Sequence, residues 1–395
     1  MRTLDTVKFS DKKVLIRVDF NVPIDENNRV TDHTRIKAAK PTIDKVLADG
    51  GSCVLMTHLG RPKGVDDNLS LRHIVFEIQK VLGVDIQFSK QTIGPEAQAQ
   101  AKALQPGQIM LLENLRFYDE ETKGDEQFAN ALSTLADCYI NDAFGTAHRA
   151  HASTTIVAQI FPKAKYFGYL LAQEIHAIDR VMSTGEKPVL AVLGGAKVSS
   201  KITIIENILD KVDHLIIGGG MSFTFAKAMG GQIGNSICED DKQELALSIL
   251  RIAKEKGVQI HLPTDVVAGD RFSNEANKQI FPIDHIPDGW EGMDAGPESV
   301  VAFREVVLQS KTILWNGPLG VFEFSQFSQG TIALGEAISA STRKGAFSLV
   351  GGGDSVAAVK QFNMENEVSY VSTGGGAMLE SLEGKTLPGI AAIMA

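Results

Sequence analysis

Four arginines stand close behind short apolar runs in the first half of the chain. Arg61 lies in THLGRPKG beside His58, Arg116 ends ENLRF, Arg149 lies in GTAHRAH, and Arg35 follows the first run in DHTRIKAAK. Arginine presents a planar fork that meets phosphate or carboxylate in two parallel contacts. Any one of the four reads equally well as an ordinary surface arginine. Four after different runs, in an acidic protein, point instead to one site for a small and highly anionic molecule. Asp19 and Asn21 of RVDFN add polar groups at the end of the first run.

The second half repeats the arrangement with glycines. Gly194–Gly195, Gly218–Gly220, Gly351–Gly353 and Gly374–Gly376 each end an apolar run. Glycine admits a ligand close to the backbone, and a strand-to-helix turn aims free N–H groups and the positive helix end at an anion. One double glycine is only a tight turn; four at equivalent positions favour a nucleotide. Lys197 and Lys201 in GGAKVSSK are four apart, which predicts a shared face at the start of the next helix. Two cations there oppose the helix dipole unless an anion sits between them, although a solvated helix face gives the same pattern.

The stretch STGGGAMLESLEGKT, residues 372–386, imitates a nucleotide-hydrolase phosphate loop. A Walker loop places its first glycine five residues before the glycine of GK[ST]. Leu379 occupies that position relative to Gly384, and Gly376 is three residues too distant. The GKT is therefore no Walker motif. SYVS reads as the last strand, Gly374–Gly376 as a turn, AMLESLE as a short helix, and Gly384 as its stop.

The elements that must position these residues are legible in the same runs. VLIRVDFNVP, CVLMTHLGRP, IMLLENLRF and CYINDAFGTAHR are followed by VLAVLGGAK, HLIIGGG, IHLPTDVV, TILWNGPLG, FSLVGGGDS and VSYVSTGGG, with helical stretches between. Near-continuous apolar strands alternating with helices predict parallel sheets covered on both faces, with ligands beyond the carboxyl ends of the strands. A chain of 395 residues exceeds one ordinary core. The expected fold is α/β: two doubly wound, Rossmann-like domains joined by a hinge helix, LLAQEIHAIDRVM, at 170–182. The expected domains are 1–170 with 380–395, and 171–379, the apolar tail TLPGIAAIMA being free to pack on the first.

Bulk composition narrows the function. A net charge of −9 argues against nucleic acid or an anionic membrane as partner. Cys53, Cys138 and Cys238 lie far apart without CxxC, which indicates neither a disulfide framework nor a zinc site. The N-terminus lacks a signal-like apolar core, and no run is long enough to span a bilayer. A cytoplasmic protein is expected.

Read together, RVDFNVP, THLGRPKG, LLENLRF, NDAFGTAHRAH, LGGAKV, IIGGGM, WNGPLGVFE, GGGDS and STGGGA resemble, in order and over the whole chain, the phosphoglycerate kinase family. Its members exchange a phosphoryl group between 1,3-bisphosphoglycerate and ADP in glycolysis. The resemblance implies that Asp19, Asn21, Arg35, His58, Arg61, Arg116 and Arg149 bind 3-phosphoglycerate. It implies a nucleotide site lined by Gly195, Lys201, Gly219, Gly220, Asn316 and Glu323, with Glu323 towards the ribose. Gly352, Gly353, Asp354 and Ser355 would face the phosphates of ADP or ATP, with Asp354 close to Mg²⁺. Arg35, Lys197 and the Gly374 and Gly375 amides would surround the phosphoryl in transfer. Glu174 matches a contact between domains, and a monomer is expected.

Two positions depart from the family pattern. Met378 stands where serine is common, and Ser355 where threonine is frequent. Backbone amides do the phosphate work near the first, and the second keeps a hydroxyl. Phosphoryl transfer to a carboxylate or a phosphate oxygen needs positioning and electrostatics, not a general base. The absence of an HRD-type catalytic loop fits that chemistry. With cations in one domain and glycines in the other, hinge closure on both ligands is expected. A nicotinamide-dependent dehydrogenase would need GxGxxG after its first strand and an acid about 20 positions on, which LGGAKVSSK does not supply. A non-catalytic nucleotide-binding protein remains the other rival, one expected to have lost Lys197 or Arg35.

Overall fold

A computed structural model describes residues 4–395. Its chain divides into two compact units, one running to Ile175 and taking up Thr386–Ala395, the other His176–Lys385.

The first unit holds a six-stranded sheet of β1 (Lys13–Val18), β2 (Ser52–Met56), β3 (Ile86–Phe88), β4 (Ile109–Leu111), β5 (Cys138–Asp142) and β6 (Lys165–Phe167). Their spatial order is β3-β4-β2-β1-β5-β6, and every neighbouring pair is parallel. The central strands are buried throughout their length, as apolar runs covered by helices on both faces must be. β1 pairs with β2 on one side, Lys13 opposite Ser52, and with β5 on the other, Val14 opposite Cys138. The chain winds outward in opposite directions from these two strands. The crevice beyond the carboxyl ends of β1 and β5 is therefore where a doubly wound sheet accepts a ligand. β3 and β6 were not anticipated from the sequence; each has three residues and is only partly buried at a sheet edge, too short to show a period.

The second unit repeats the plan with β7 (Val189–Leu193), β8 (His214–Ile217), β9 (Gln259–His261), β10 (Thr312–Asn316), β11 (Phe347–Val350) and β12 (Tyr370–Val371). All neighbours are again parallel, in the order β9-β8-β7-β10-β11-β12. Its switch point lies between β7 and β10.

One run departs from expectation. IHLPTDVV is two strands: Gln259–His261 closes the edge of the parallel sheet, and Asp265–Gly269 enters a separate antiparallel sheet with Lys278–Pro282 and Glu291–Ala295. Pro263 has no N–H for a ladder and lies at the break.

The helix Tyr169–Met182 covers the segment anticipated as a hinge. Glu174 within it is fully buried. The tail forms a helix, Pro388–Met394, fixed to the first unit by Gly389 N–H donating to Ala147 O at 2.9 Å and Lys165 Nζ to Ala392 O at 2.8 Å. Contacts thus break at 175/176 and 385/386, where the sequence suggested 170/171 and 379/380.

Candidate functional site

Beyond β1, Asp19 is nearly buried and its Oδ2 accepts from Arg35 Nη1 at 2.9 Å. Arg35 belongs to the first turn of the helix Thr34–Ala48, so the pair joins the strand end to the following helix. Asn21 Oδ1 accepts from Gly60 N–H at 2.8 Å, and the Phe20 amide donates to Thr57 Oγ1 at 2.8 Å. These bonds lace the loop after β1 to the loop after β2. Asn114, fully buried after β4, donates to Leu59 O and Leu69 O and accepts from the Arg116 amide at 3.0 Å. Arg116 Nη1 returns to Gly60 O at 3.2 Å. Three loops thus form one platform. Asn21 Oδ1 is part of its bracing.

The cations gather on that platform. The charges of Arg17, Arg116 and Arg35 all act on His58, which burial holds well below its ordinary range. Arg149 acts on His151 and Arg61 on Arg116, so the loops after all four central strands share one positive field. Arg61 and Arg149 are exposed, Arg35 and Arg116 half-buried. Burial, with Arg17 nearby, opposes the charge of Arg116. A guanidinium keeps its proton regardless, so an arriving anion relieves the penalty.

Beneath the platform lies a layer absent from the sequence reading. Arg17, in mid-β1 and 1% exposed, donates through Nε to Ser153 Oγ at 2.8 Å and through Nη2 to His58 Nδ1 at 3.2 Å. Ser153 in turn donates its hydroxyl to Glu121 Oε1 at 2.6 Å and its amide to Oε2 at 2.9 Å. Glu121 is as buried as Arg17; burial pushes its carboxyl up, and Arg17 and Ser153 pull it back. His151 Nδ1 sits 3.8 Å from Glu121 Oε1, and burial, then Arg17, lowers His151 to about 4. A charged residue inside the apolar run VLIRVDF was the available signal for Arg17. Glu121 had none, because DEETKGDE reads as a solvated acidic stretch.

In the second unit the glycine loops meet one another as well as open space. An added Cβ on Gly194 would lie 2.0 Å from Pro318 O, and one on Gly317, at φ +115°, 2.3 Å from Gly194 O. The turns after β7 and β10 pack backbone to backbone, which only glycine allows. A Cβ on Gly195, Gly353 or Gly375 would meet nothing within 4 Å.

Around these turns opens a cavity of about 390 Å³. Gly195, Gly219, Gly220, Asp294 and Glu323 line it, and so does Asp354, in the first turn of the helix Gly353–Gln361. Much of its wall, from Val266 through Met293, comes from the antiparallel sheet, with Phe223, Ile237 and Phe272 beside it. No motif announced that wall.

Asn316 is fully buried; its Nδ2 donates to Gly351 O at 2.8 Å, and its Oδ1 accepts from Lys201 Nζ. Burial lowers Lys201, and Asp354 partly restores it. Ser355, expected at the phosphates, is buried instead, its Oγ accepting from Gly317 N–H at 2.5 Å. Its hydroxyl ties the β10 and β11 turns together.

Lys197 and Lys201 do not share a helical face. The helix begins at Ile202 with Lys201 at its cap, and Lys197 is exposed in the loop before it. Ser200 Oγ donates to Lys197 O at 2.8 Å and Ser199 N–H to Glu239 at 3.0 Å, so the two serines hold a turn where helix was anticipated. In the last motif, Gly374 N–H already donates to Ser372 Oγ at 3.1 Å. Gly375 and Gly376 are the exposed residues at the start of the helix Gly376–Leu382, and Gly384 ends it at φ +78°. Met378 is fully buried, and its sulfur fills the space a side chain on Gly351 would need.

A sequence model of phosphoglycerate kinase matches residues 4–385. The phosphoglycerate kinase of Porphyromonas gingivalis is 53% identical over 415 aligned positions, covering 99% of each chain. A cytosolic phosphoglycerate kinase of Arabidopsis thaliana is 49% identical, over 99% of this chain and 98% of its own. Among solved structures, phosphoglycerate kinase from Coxiella burnetii superposes with a TM-score of 0.90 at 40% identity, covering 99% of this chain and 98% of that one. The Pyrococcus horikoshii enzyme does so at 0.83 and 29%, covering 100% and 98%. The chain belongs to the phosphoglycerate kinase family, the glycolytic enzymes that move a phosphoryl group between 1,3-bisphosphoglycerate and ADP.

Proposed function

We propose that the platform of the first unit binds 3-phosphoglycerate or 1,3-bisphosphoglycerate and that the cavity of the second binds ADP or ATP. The observation that carries this reading is the division of chemistry: a shared positive field over one sheet and a glycine-lined cavity over the other. Arg35, His58, Arg61, Arg116 and Arg149 are the groups for the acid, with Asp19 and Asn21 holding the loops in place. Gly195, Gly219, Gly220 and Glu323 take the nucleoside, Asn316 orients Lys201, and Gly352, Gly353 and Asp354 meet its phosphates. Arg35, Lys197 and the Gly374–Gly375 turn contribute to the phosphoryl in transfer, Gly375 having the more available amide.

The residues fit a nucleotide-borne Mg²⁺. Asp354 is an exposed carboxylate at the cavity, and no group of three metal-binding side chains exists among the described residues. One carboxylate with phosphates and water suits Mg²⁺, which neutralises phosphate charge when bound. The acceptor in either direction is already ionised at neutral pH, so no side chain need remove a proton. Positive groups offset charge on the equatorial oxygens of a loose transition state. Transfer requires the two ligands to come together, and closure of the units over them supplies this and excludes water.

All these residues come from one chain, so a monomer suffices. A cytoplasmic setting agrees with three free cysteines, and no helix among the described residues is long and apolar enough to cross a membrane. A coupled assay with 3-phosphoglycerate and ATP tests the reading. Turnover should require Mg²⁺ and vanish with excess EDTA; turnover unaffected by the chelator, or none with 3-phosphoglycerate, contradicts it.

A further inference from the structure

His58 is held by its less obvious side. Its Nδ1 faces Arg17 Nη2 at 3.2 Å, and a guanidinium has only donors and does not deprotonate in a protein. Nδ1 must therefore offer a lone pair, which places the ring proton on Nε2. That nitrogen has no hydrogen-bond partner among the described residues, although His58 as a whole is 3% exposed. It is nevertheless not one of the buried polar atoms left without a partner, so the little of His58 that is exposed includes this N–H, which stays open to solvent and to a ligand. Arg17 is itself immobilised: its Nε is fixed by Ser153, whose hydroxyl and amide are both directed at Glu121.

We propose that Arg17, braced by Ser153 and Glu121, is a positioning residue that locks His58 as the neutral Nε2–H tautomer, so that His58 meets the anionic substrate as a hydrogen-bond donor and not as a cation. The surroundings agree from every side. Burial, with Arg35 from the first helix and Arg116 from the loop after β4, joins Arg17 in opposing a second proton on the ring, and His151 from the segment following β5 is itself held neutral. Asp19 pairs with Arg35 and Glu121 faces Ser153, so neither carboxylate is bonded to His58. A donor of fixed direction gains what a free imidazole lacks: no reorientation when the acid arrives. Its contact with the substrate also stays constant through neutral pH.

This rests on reading His58 as a substrate contact, and the test separates the two claims. Long-range proton–nitrogen spectra of the ligand-free protein, labelled with ¹⁵N-histidine and assigned with His58→Gln, should show Nδ1 bare and Nε2 protonated from pH 5.5 to 8. Protonation at Nδ1, or titration of His58 within that range, overturns the proposal whether or not any variant folds. In Arg17→Met, His58 should become a tautomer mixture with part of the proton on Nδ1, while burial, Arg116 and Arg35 still oppose a second proton. The KM for 3-phosphoglycerate should then rise, because part of the ring population presents no donor at Nε2. An unchanged KM with an unchanged spectrum refutes the role of Arg17. If His58→Gln leaves that KM unaltered, the substrate contact fails while the tautomer result stands.

Discussion

Arginine positions relative to apolar runs were enough to locate Arg35, Arg61, Arg116 and Arg149, because a cation just past a strand end has few places to go but the carboxyl edge of the sheet. Partners were not legible at this scale. Asp19–Arg35 spans sixteen residues and Arg17–Ser153 spans 136, distances at which sequence carries no pairing signal. Asp142 shows the same gap. It ends β5, is fully buried, and accepts from the Leu171 amide at 3.1 Å at the start of the helix Tyr169–Met182. Burial pushes its carboxyl up to about 7, and bonds from Thr42 and the Leu170 and Leu171 amides offset only part of this. A carboxyl raised in the folded state stabilises fully below its unfolded value near 4 and loses that contribution as pH rises towards 7. Asp142→Asn cannot ionise. Its Tm relative to wild type should therefore rise between pH 5 and pH 8, by an amount on the order of 1–3 kcal/mol of stability. A pH-independent difference in calorimetry would refute this.

At the scale of elements, the glycine clusters were found for a reason only half complete. They were expected to admit a ligand; Gly194 instead lets its turn touch that of Gly317, a glycine outside the clusters, while Gly353 and Gly375 border open space. The two uses separate by substitution. Gly317→Ala requires a strained φ of +115° and a clash with Gly194, so it should cost on the order of 1–3 kcal/mol in denaturant unfolding. Gly353→Ala should change stability by less than about 0.5 kcal/mol yet raise KM for MgADP roughly tenfold, a loss of about 1.4 kcal/mol. Equal stability losses would mean that both glycines are structural. Lys197 and Lys201 failed as a helical pair because Ser200 bonds back to Lys197 O and the Ser199 amide is taken by the distant Glu239, which together hold a turn.

For the whole molecule, alternation of apolar runs and helices gave both parallel sheets, since burial on two faces writes itself into composition. The antiparallel insertion was hidden. Its strand Lys278–Pro282 is mostly exposed, with lysine and proline at its ends, and so lacks an apolar period. That insertion nevertheless supplies Glu291 to Ala295 to the cavity wall. Closure over both ligands should lower the radius of gyration in small-angle scattering with 3-phosphoglycerate and a non-transferable MgATP analogue together. A radius unchanged from the free protein contradicts closure.

The division of labour between the units is tested most directly by titration calorimetry of the intact protein with each ligand in turn. Arg149→Ala should weaken 3-phosphoglycerate at least tenfold and leave MgADP within about twofold, a difference of roughly 1.4 kcal/mol against less than about 0.4. Lys201→Met should give the reverse. If either substitution weakens both ligands alike, or Arg149→Ala strikes MgADP alone, the assignment of acid to one unit and nucleotide to the other is wrong.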